Sequence, residues 1–523
     1  MSPYLLPLCA PLLLLAAAVY GLARDSHQPV LAPTLGEGAA LGALLIAIAS
    51  IAVLALQGTG NSGLIGWSGF GLSVRLDAVS ATMMALVAFV GWIVVRYART
   101  NLDGEARQGP FTGWLCAVLA SVLLLVQAGN LVQLVAAWVA ASLALQRLLL
   151  FYPERVAARR AARKKGLFST VGAICLILAC VALALHFGTA DIAAINARAM
   201  GGEKTALSLT AASLLALAAV LKSAQFPTHG WLTEAMEAPT PVSALLHAGV
   251  INAGGFLLIR FADVMLAAPG VLAGLAILGG FTALFGALVM LTQPAVKTSL
   301  AWSTVAQMGF MVLQCGLALF PLALLHIVAH SLYKAHAFLA SGGAVDQVAA
   351  IRRPGPIAVP GGSAVRRAFL IALGIYAGIG TAFGLALGFE HKSPQALALG
   401  AILIFGVAYL LAQGFADTAP RQLTRRTALY ACAAAVGYFL LQTGAEWLTA
   451  GVLPPTPAPG RLEWTLMALA VLSFGLVALA QALLPLWGSH PAAEGLRVHL
   501  SNGLYVNAII DRMLGGWAVR KAS

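Results

Sequence analysis

Apolar runs long enough to cross a bilayer follow one another along almost the whole chain, and that succession leaves few folds open. They lie near residues 4–22, 38–56, 78–97, 111–128, 130–151, 167–188, 207–225, 240–262, 271–291, 299–319, 322–341, 367–388, 395–414, 427–448 and 464–487, fifteen in all. A helix needs about 17–25 apolar residues to span bilayer hydrocarbon, and in lipid it satisfies its own backbone where loops and open sheet edges cannot. Of 523 residues 60% are hydrophobic and 9% charged, against roughly a quarter charged in soluble domains. The expected fold is all-α and polytopic, with about 15 transmembrane helices. The first run reads as a span rather than a cleaved signal, since no basic segment precedes it and Pro3 and Pro7 sit at its start.

A net charge of +13 would suit nucleic acid, but the basic residues gather in short loops between apolar runs, where the positive-inside rule puts them. With the N-terminus outside, the inner loops hold Arg96 and Arg99, then Arg155, Arg159, Arg160, Arg163, Lys164 and Lys165. Arg352, Arg353, Arg366, Arg367, Arg421, Arg425, Arg426, Arg497, Arg512, Arg520 and Lys521 follow on the same side. The outer loops carry little beyond Arg75, Arg198, Lys204 and Arg461, so the N-terminus is expected outside and the C-terminus inside. The tail after Trp487 reads as a short cytoplasmic or interfacial helix. The six cysteines lie mostly within apolar runs with no CxxC, which suits packing rather than a metal or disulfide framework. There is no Walker A pattern and no glycine-rich dinucleotide turn after a strand.

Within this apolar background one stretch stands out, Leu221 to Arg260. It carries Lys222, stops at Pro227, restarts through Trp231, meets Pro239 and Pro241, and resumes as an apolar helix bearing His247. A lysine in hydrocarbon costs several kcal/mol unless hydrated, paired or neutral, and so marks a functional site. A proline-broken helix frees carbonyls that survive at membrane depth only where protein or a water-lined cavity satisfies them. Further on, His326, His330 and Lys334 recur at i, i+4 and i+8, stacking three titratable groups on one helix face. A metal site, separate structural hydrogen bonds and a proton wire are the three readings of that stack. Lys297 follows Pro294 at a helix start, as a second broken position or an interfacial lysine, and His336 lies off the stacked face. Glu234 and Glu237 are the nearest carboxylates and could pair with a buried cation or face solvent. Asp77 could orient the head of the third span.

The stretch KSAQFPTHGWLTEAMEAPTPVSALLHAGVINAGGFLLIR resembles the signature segment of the antiporter-like membrane subunits of respiratory complex I and of Mrp-type cation/proton antiporters. RLDAVSATM at 75–83, PAVKTSLAWSTVAQMGFM at 294–311 and HIVAHSLYKAHAFLASG at 326–342 extend the likeness over roughly residues 65–415. The resemblance implies two inverted five-helix repeats, each with a discontinuous helix, around a hydrated polar axis. It divides the chain into N-terminal helices (1–110), a first repeat (111–262), a second repeat (271–415), C-terminal helices (427–487) and a tail (488–523). It makes Lys222 the lysine of the first broken helix with His247 beside it, and puts Lys297, His326, His330 and Lys334 on a central relay. GFEHK at 388–392 is similar to the second broken-helix element, which would make Lys392 its lysine.

The chain also departs from that pattern. Those subunits place a glutamate after a tryptophan in the fifth span, as partner of the first broken-helix lysine; here Val139 follows Trp138. No long lateral helix is present either. The missing glutamate, the size and the segment QRLLLFYPERVAARRAARKK (146–165) resemble another branch, the membrane subunits (DabB) of bacterial DAB complexes for dissolved inorganic carbon accumulation. That likeness implies an inner-membrane location and a large cytoplasmic DabA-type partner, a zinc-binding carbonic-anhydrase-like subunit that hydrates CO2 to bicarbonate. This chain would then be no enzyme and hold no cofactor of its own; it would conduct protons or sodium ions and couple a cation gradient to that partner. Two alternatives remain: a proton-translocating subunit of a complex I-like or Mrp-like assembly, and a quinone-reactive oxidoreductase, for which no cofactor ligand set is evident.

Overall fold

Helices occupy nearly all of the expected apolar runs. A computed structural model describes residues 2–23, 31–67, 70–201, 205–343, 361–388, 392–414 and 421–513. The basic residues Lys204, Arg352, Arg353, Arg520 and Lys521, and the Phe389–His391 part of GFEHK, lie outside the described residues. In chain order the first helices are α1 (Cys9–Leu22), α2 (Leu31–Gln57), α3 (Ala78–Asn101), α4 (Gln108–Val126), α5 (Leu131–Leu149), α6 (Val156–Phe187) and the short α7 (Ile192–Ala199). Then come α8 (Ala206–Lys222), α9 (Gly230–Thr233), α10 (Thr240–Ala248), α11 (Ala253–Arg260), α12 (Ala262–Leu266), α13 (Pro269–Met290), α14 (Val296–Gly316) and α15 (Phe320–Ala340). The remainder are α16 (Gly362–Leu387), α17 (Pro394–Gly414), α18 (Arg421–Thr449), α19 (Arg461–Ala482), α20 (Leu484–Trp487), α21 (Pro491–Ser501) and α22 (Val506–Met513). Two short antiparallel ladders, Gly60–Asn61 with Arg75–Leu76 and Ile65–Trp67 with Phe70–Leu72, close the connection between α2 and α3.

Among the described residues twelve helical segments, the broken α10–α11 span counted as one, are long and apolar enough to cross a membrane. The sequence expectation was fifteen runs, and the three others differ for identifiable reasons. Helix α8 is 17 residues long, the apolar part of α17 runs over Pro394–Ala408, and the polar residues Lys297, Thr298, Ser299, Ser303, Thr304 and Gln307 dilute α14. Helix α6 departs most from expectation. The apolar run at 167–188 predicts a helix over those residues, but the helix begins at Val156, so Arg159 to Lys165 form its first turns instead of a loop.

Local chemistry sets the helix ends near the polar interior. Asp77 caps α3, its side chain accepting from the Ser80 amide while the Ser80 hydroxyl faces the Asp77 N–H, a reciprocal capping box. Asn130 caps α5 by accepting from the Gln133 amide. The break after Lys222 has a cause other than Pro227. Helix α8 stops five residues earlier, where Ala224 takes a left-handed conformation (φ 49°) and the Gln225 amide donates back to Val220 O at 3.3 Å. That six-to-one bond around a left-handed residue is a Schellman cap, with alanine in the place glycine usually takes. Lys222 is therefore the last helical residue, beside the terminal carbonyls where the negative end of the helix dipole favours a cation. A second break splits the following span, as Gly249 (φ −121°, ψ −77°) leads into a 3₁₀ turn, Val250–Asn252, between α10 and α11.

Candidate ion pathway

The broken span frees carbonyls, and polar side chains from α15, from the end of α8 and from the break itself take them up. His330 Nε2 lies 3.0 Å from His247 O, and with a carbonyl as acceptor this nitrogen carries the proton. Asn252 Nδ2 donates to Ala248 O at 3.0 Å and to Ser331 Oγ at 2.8 Å. Ser223 Oγ donates to Ile251 O at 3.4 Å. The end of α8, the α10–α11 break and the middle of α15 are thus stitched together by buried polar groups.

The stitching continues into α14. Thr304 Oγ1 donates to Leu300 O at 3.0 Å, so it accepts from His247 Nδ1, also at 3.0 Å. Lys334 Nζ donates to the same Leu300 carbonyl at 3.2 Å. Connectivity therefore runs from His330 through the His247 backbone and ring, Thr304 and Leu300 O to Lys334. These assignments leave His247 Nε2 and His330 Nδ1 as buried acceptors with no hydrogen-bond partner among the described residues, and His326 Nε2 is also buried without a partner there. The His326 and His330 rings stand 6.1 Å apart, and His247 stacks on Phe338 at 4.4 Å. His247 and Lys334 are both 0% exposed and His330 5%, so the axis faces protein rather than lipid.

Lys222 heads a second cluster. Its ammonium donates to Ser142 Oγ at 2.9 Å and sits 4.8 Å above the Trp138 ring. Where the resemblance leads one to expect a glutamate after Trp138, this chain offers the tryptophan face and, one helical turn on, a hydroxyl. Lys165 Nζ donates to the backbone carbonyl of the same Ser142. Both lysines are buried, at 7% and 3% exposed, and no carboxylate lies within 4 Å of either among the described residues. Sequence reasoning missed Lys165 because it sits in a basic string; only the early start of α6 turns it inward.

The two carboxylates of the restarted segment lie away from Lys222. Glu234 pairs with Lys164 at 2.7 Å and with Arg160 at 3.4 Å, and accepts from Asn507 Nδ2 at 2.6 Å. Lys164, 0% exposed, also pairs with Asp511 of α22 at 2.7 Å. Glu234 thus engages a buried cation, Lys164 rather than Lys222, held against the C-terminal tail. Glu237 is exposed and pairs with Arg155 at 3.4 Å. Lys297 Nζ, half-buried, donates to Thr240 Oγ1 at 3.1 Å. It lines a cavity of about 280 Å³ with Glu237, Arg155, Tyr152 and Glu105. This cleft opens on the tail side, next to the starts of α10 and α14. Burial tends to lower the Lys297 amine while Glu237 acts to raise it, and the net direction is downward.

Of the other expected residues, Pro227 is exposed, Pro239 precedes α10, and Pro241 lies in its first turn. Lys392 sits in the short connection between the continuous helices α16 and α17, its ammonium 3.8 Å over the Phe439 ring. His336 is exposed. The described residues contain no cluster of three or more histidine, cysteine or acidic groups able to hold a metal. Asp77 proved more than a helix cap: Arg260 bridges it at 2.5 Å and Arg75 at 2.7 Å, tying α11 to the head of α3.

Comparison with known proteins accords with this geometry. Residues 128–353 match the membrane-domain family described as NADH:quinone oxidoreductase/Mrp antiporter. A relative from Halothiobacillus neapolitanus, "Probable inorganic carbon transporter subunit DabB2", is 37% identical over 97% of this chain and 93% of its own length. Among solved structures, a chain of the Mrp complex from Dietzia superposes with a TM-score of 0.65 at 23% identity, covering 98% of this chain and 60% of that one. A chain of respiratory complex I from Thermus thermophilus superposes with a TM-score of 0.57 at 19% identity, covering 96% and 99%. At those identities the solved structures establish the fold, an all-α, multi-pass, antiporter-like membrane architecture. The near full-length relative carries the assignment further: this chain belongs to the DabB family of membrane subunits, within the complex I and Mrp antiporter superfamily.

Proposed function

We propose that this chain is the proton-conducting membrane subunit of a two-component inorganic carbon accumulation machine. It couples the proton gradient to CO2 hydration by a large cytoplasmic, zinc-binding, carbonic-anhydrase-like partner of DabA type. The observation that carries the reading is the buried hydrogen-bonded run from His330 through His247, Thr304 and Leu300 O to Lys334, with Lys222 at the adjoining helix break. Amines and imidazoles interconvert charged and neutral forms by taking up and releasing a proton. Sodium would instead require a shell of oxygen ligands, and the carbonyls of this run are already taken by imidazole, amide, hydroxyl and ammonium donors. The names of the relatives support the inorganic carbon assignment, and the antiporter-like fold supports the ion.

In this reading the protein lies in the bacterial inner membrane with its N-terminus outside and its C-terminal tail in the cytoplasm. Lys222, His247, His326, His330 and Lys334 form the relay, with Lys297, Glu234 and Glu237 at its cytoplasmic mouth and Lys392 near the opposite face. Hydration converts CO2 and water to bicarbonate and a proton, and a neighbour that moves protons can bias that equilibrium one way.

The test is bicarbonate accumulation in cells co-expressing the chain and its partner. Lys222→Ala should reduce accumulation at least tenfold while the partner still co-purifies with the chain and with zinc. A protonophore should collapse uptake. Uptake that survives the protonophore but needs sodium would reassign the ion, and undiminished uptake by Lys222→Ala would overturn the relay.

A further inference from the structure

Lys222 shares Ser142 with a second buried lysine, Lys165, which has no role in the reading above, and the geometry of the pair is specific. Lys222 on α8 and Lys165 on α6 hydrogen-bond the hydroxyl and the carbonyl of one residue on α5. With no carboxylate within 4 Å of either ammonium among the described residues, two full positive charges held this close in a low-dielectric interior repel strongly. Desolvation disfavours each of them as well. The arrangement is therefore most stable with one proton too few for both amines. The lysine next to Lys165 points the other way along α6, into the charged cluster of Glu234 and Asp511 beneath the tail. Lys165 is thus the buried lysine next in sequence to that cluster, and Lys222 lies across Ser142 from it.

We propose that Lys165 is a further relay residue, exchanging a single proton with Lys222 through the Ser142 hydroxyl; this rests on the proton-conducting reading above. The exchange balances. Ser142 Oγ hands its proton to the neutral Lys222 amine and takes one from the Lys165 ammonium, after Lys165 shifts from the carbonyl to the hydroxyl of the same residue. Lys165 ends neutral, Lys222 ends charged, the serine is unchanged, and the net charge of the node stays at one. In this chain a second lysine, rather than a carboxylate, thereby sets when Lys222 carries its proton.

The experiment compares variants of the full chain co-purified with its partner, reading bicarbonate accumulation in cells and proton influx in proteoliposomes. Lys165→Arg keeps a charge and hydrogen bonds but does not release a proton at accessible pH, and Lys165→Met keeps the apolar stem without the charge. Both should lose at least tenfold in proton influx and accumulation while still assembling. Ser142→Ala should lose similarly, and Ser142→Thr, which restores the hydroxyl, should recover most of the activity. A structural lysine would be rescued by Lys165→Arg, and that result would overturn the proposal, as would wild-type rates in Lys165→Met or Ser142→Ala. Lys222→Ala runs alongside: if it is inactive while the Lys165 variants are normal, only this inference fails, whereas an active Lys222→Ala removes the relay itself.

Discussion

At the scale of single residues, the polar interior is organised by which atom donates. Because Thr304 gives its only proton to Leu300 O, His247 must hold its own on Nδ1; because His330 faces a carbonyl, it must hold its own on Nε2. Each ring then leaves one buried nitrogen without a hydrogen-bond partner among the described residues. In the proposed relay these two nitrogens are the atoms that would take up and release the proton. His330→Ala and Lys334→Ala should therefore each lower bicarbonate accumulation at least tenfold, with partner co-purification unchanged. Retained accumulation in both would reduce this face of α15 to packing. The stack of His326, His330 and Lys334 was legible in the sequence from its four-residue spacing. The residues that join it into a chain, Thr304 and the carbonyls of His247 and Leu300, were not, because backbone oxygens carry no sequence signal.

At the scale of elements, close helix approach decides what can be buried together. Helices α13 and α14 meet along glycines: a Cβ on Gly279 would come within 2.6 Å of Gly309 O, and one on Gly309 within 2.7 Å of Gly279 O. Small residues let membrane helices pack backbone to backbone, where lipid supplies no hydrophobic drive for association. Gly309→Leu should separate this hairpin and lower the thermal midpoint in detergent, in line with a cost of about 1–3 kcal/mol for forcing extra methylenes into a packed site. Unchanged melting would mean that the hairpin is not tightly packed. The same logic acts at the break in the tenth and eleventh helices, where a Cβ on Gly254 would collide with Ser223 Oγ and Ala219 O, so α8 and α11 pack too closely for any side chain there. Which glycines meet is a matter of register between helices, which no local sequence pattern encodes.

At the scale of the whole molecule, two charged ties connect distant parts of the chain. On the tail side, Lys164 joins α6 to Glu234 and, through Asp511, to the C-terminal α22. On the far side, Asp77 and Arg260 join residues 183 positions apart. Burial by itself would raise the Asp77 carboxyl, but Arg260 and Arg75 outweigh it and hold it below the usual carboxylate range. The sign follows: a depressed folded-state value gives stability that is fully present above the ordinary carboxylate pKa of about 4 and is lost as pH falls below it. Asp77→Asn should leave Arg260 buried without its counter-charge and cost about 3–5 kcal/mol, the usual penalty for breaking a buried pair from one side. The readout is the thermal midpoint of the variant at neutral pH, and an unshifted midpoint would show that the tie does not stabilise the fold.

The amino-acid sequence alone determined the class of molecule and the neighbourhood of its polar core. Apolar run length and charge scarcity are summed along the chain, so they survive without knowledge of contacts, and titratable residues inside such runs mark themselves. Tertiary structure alone decided which charges are buried and with whom. Lys164 and Lys165 are adjacent in a basic string, yet α6 aims one at Glu234 and Asp511 and the other at Ser142 and Lys222. Neighbours on a helix diverge by about 100°, and the cost of burying an ammonium depends on what faces it across three other helices, which no local pattern encodes.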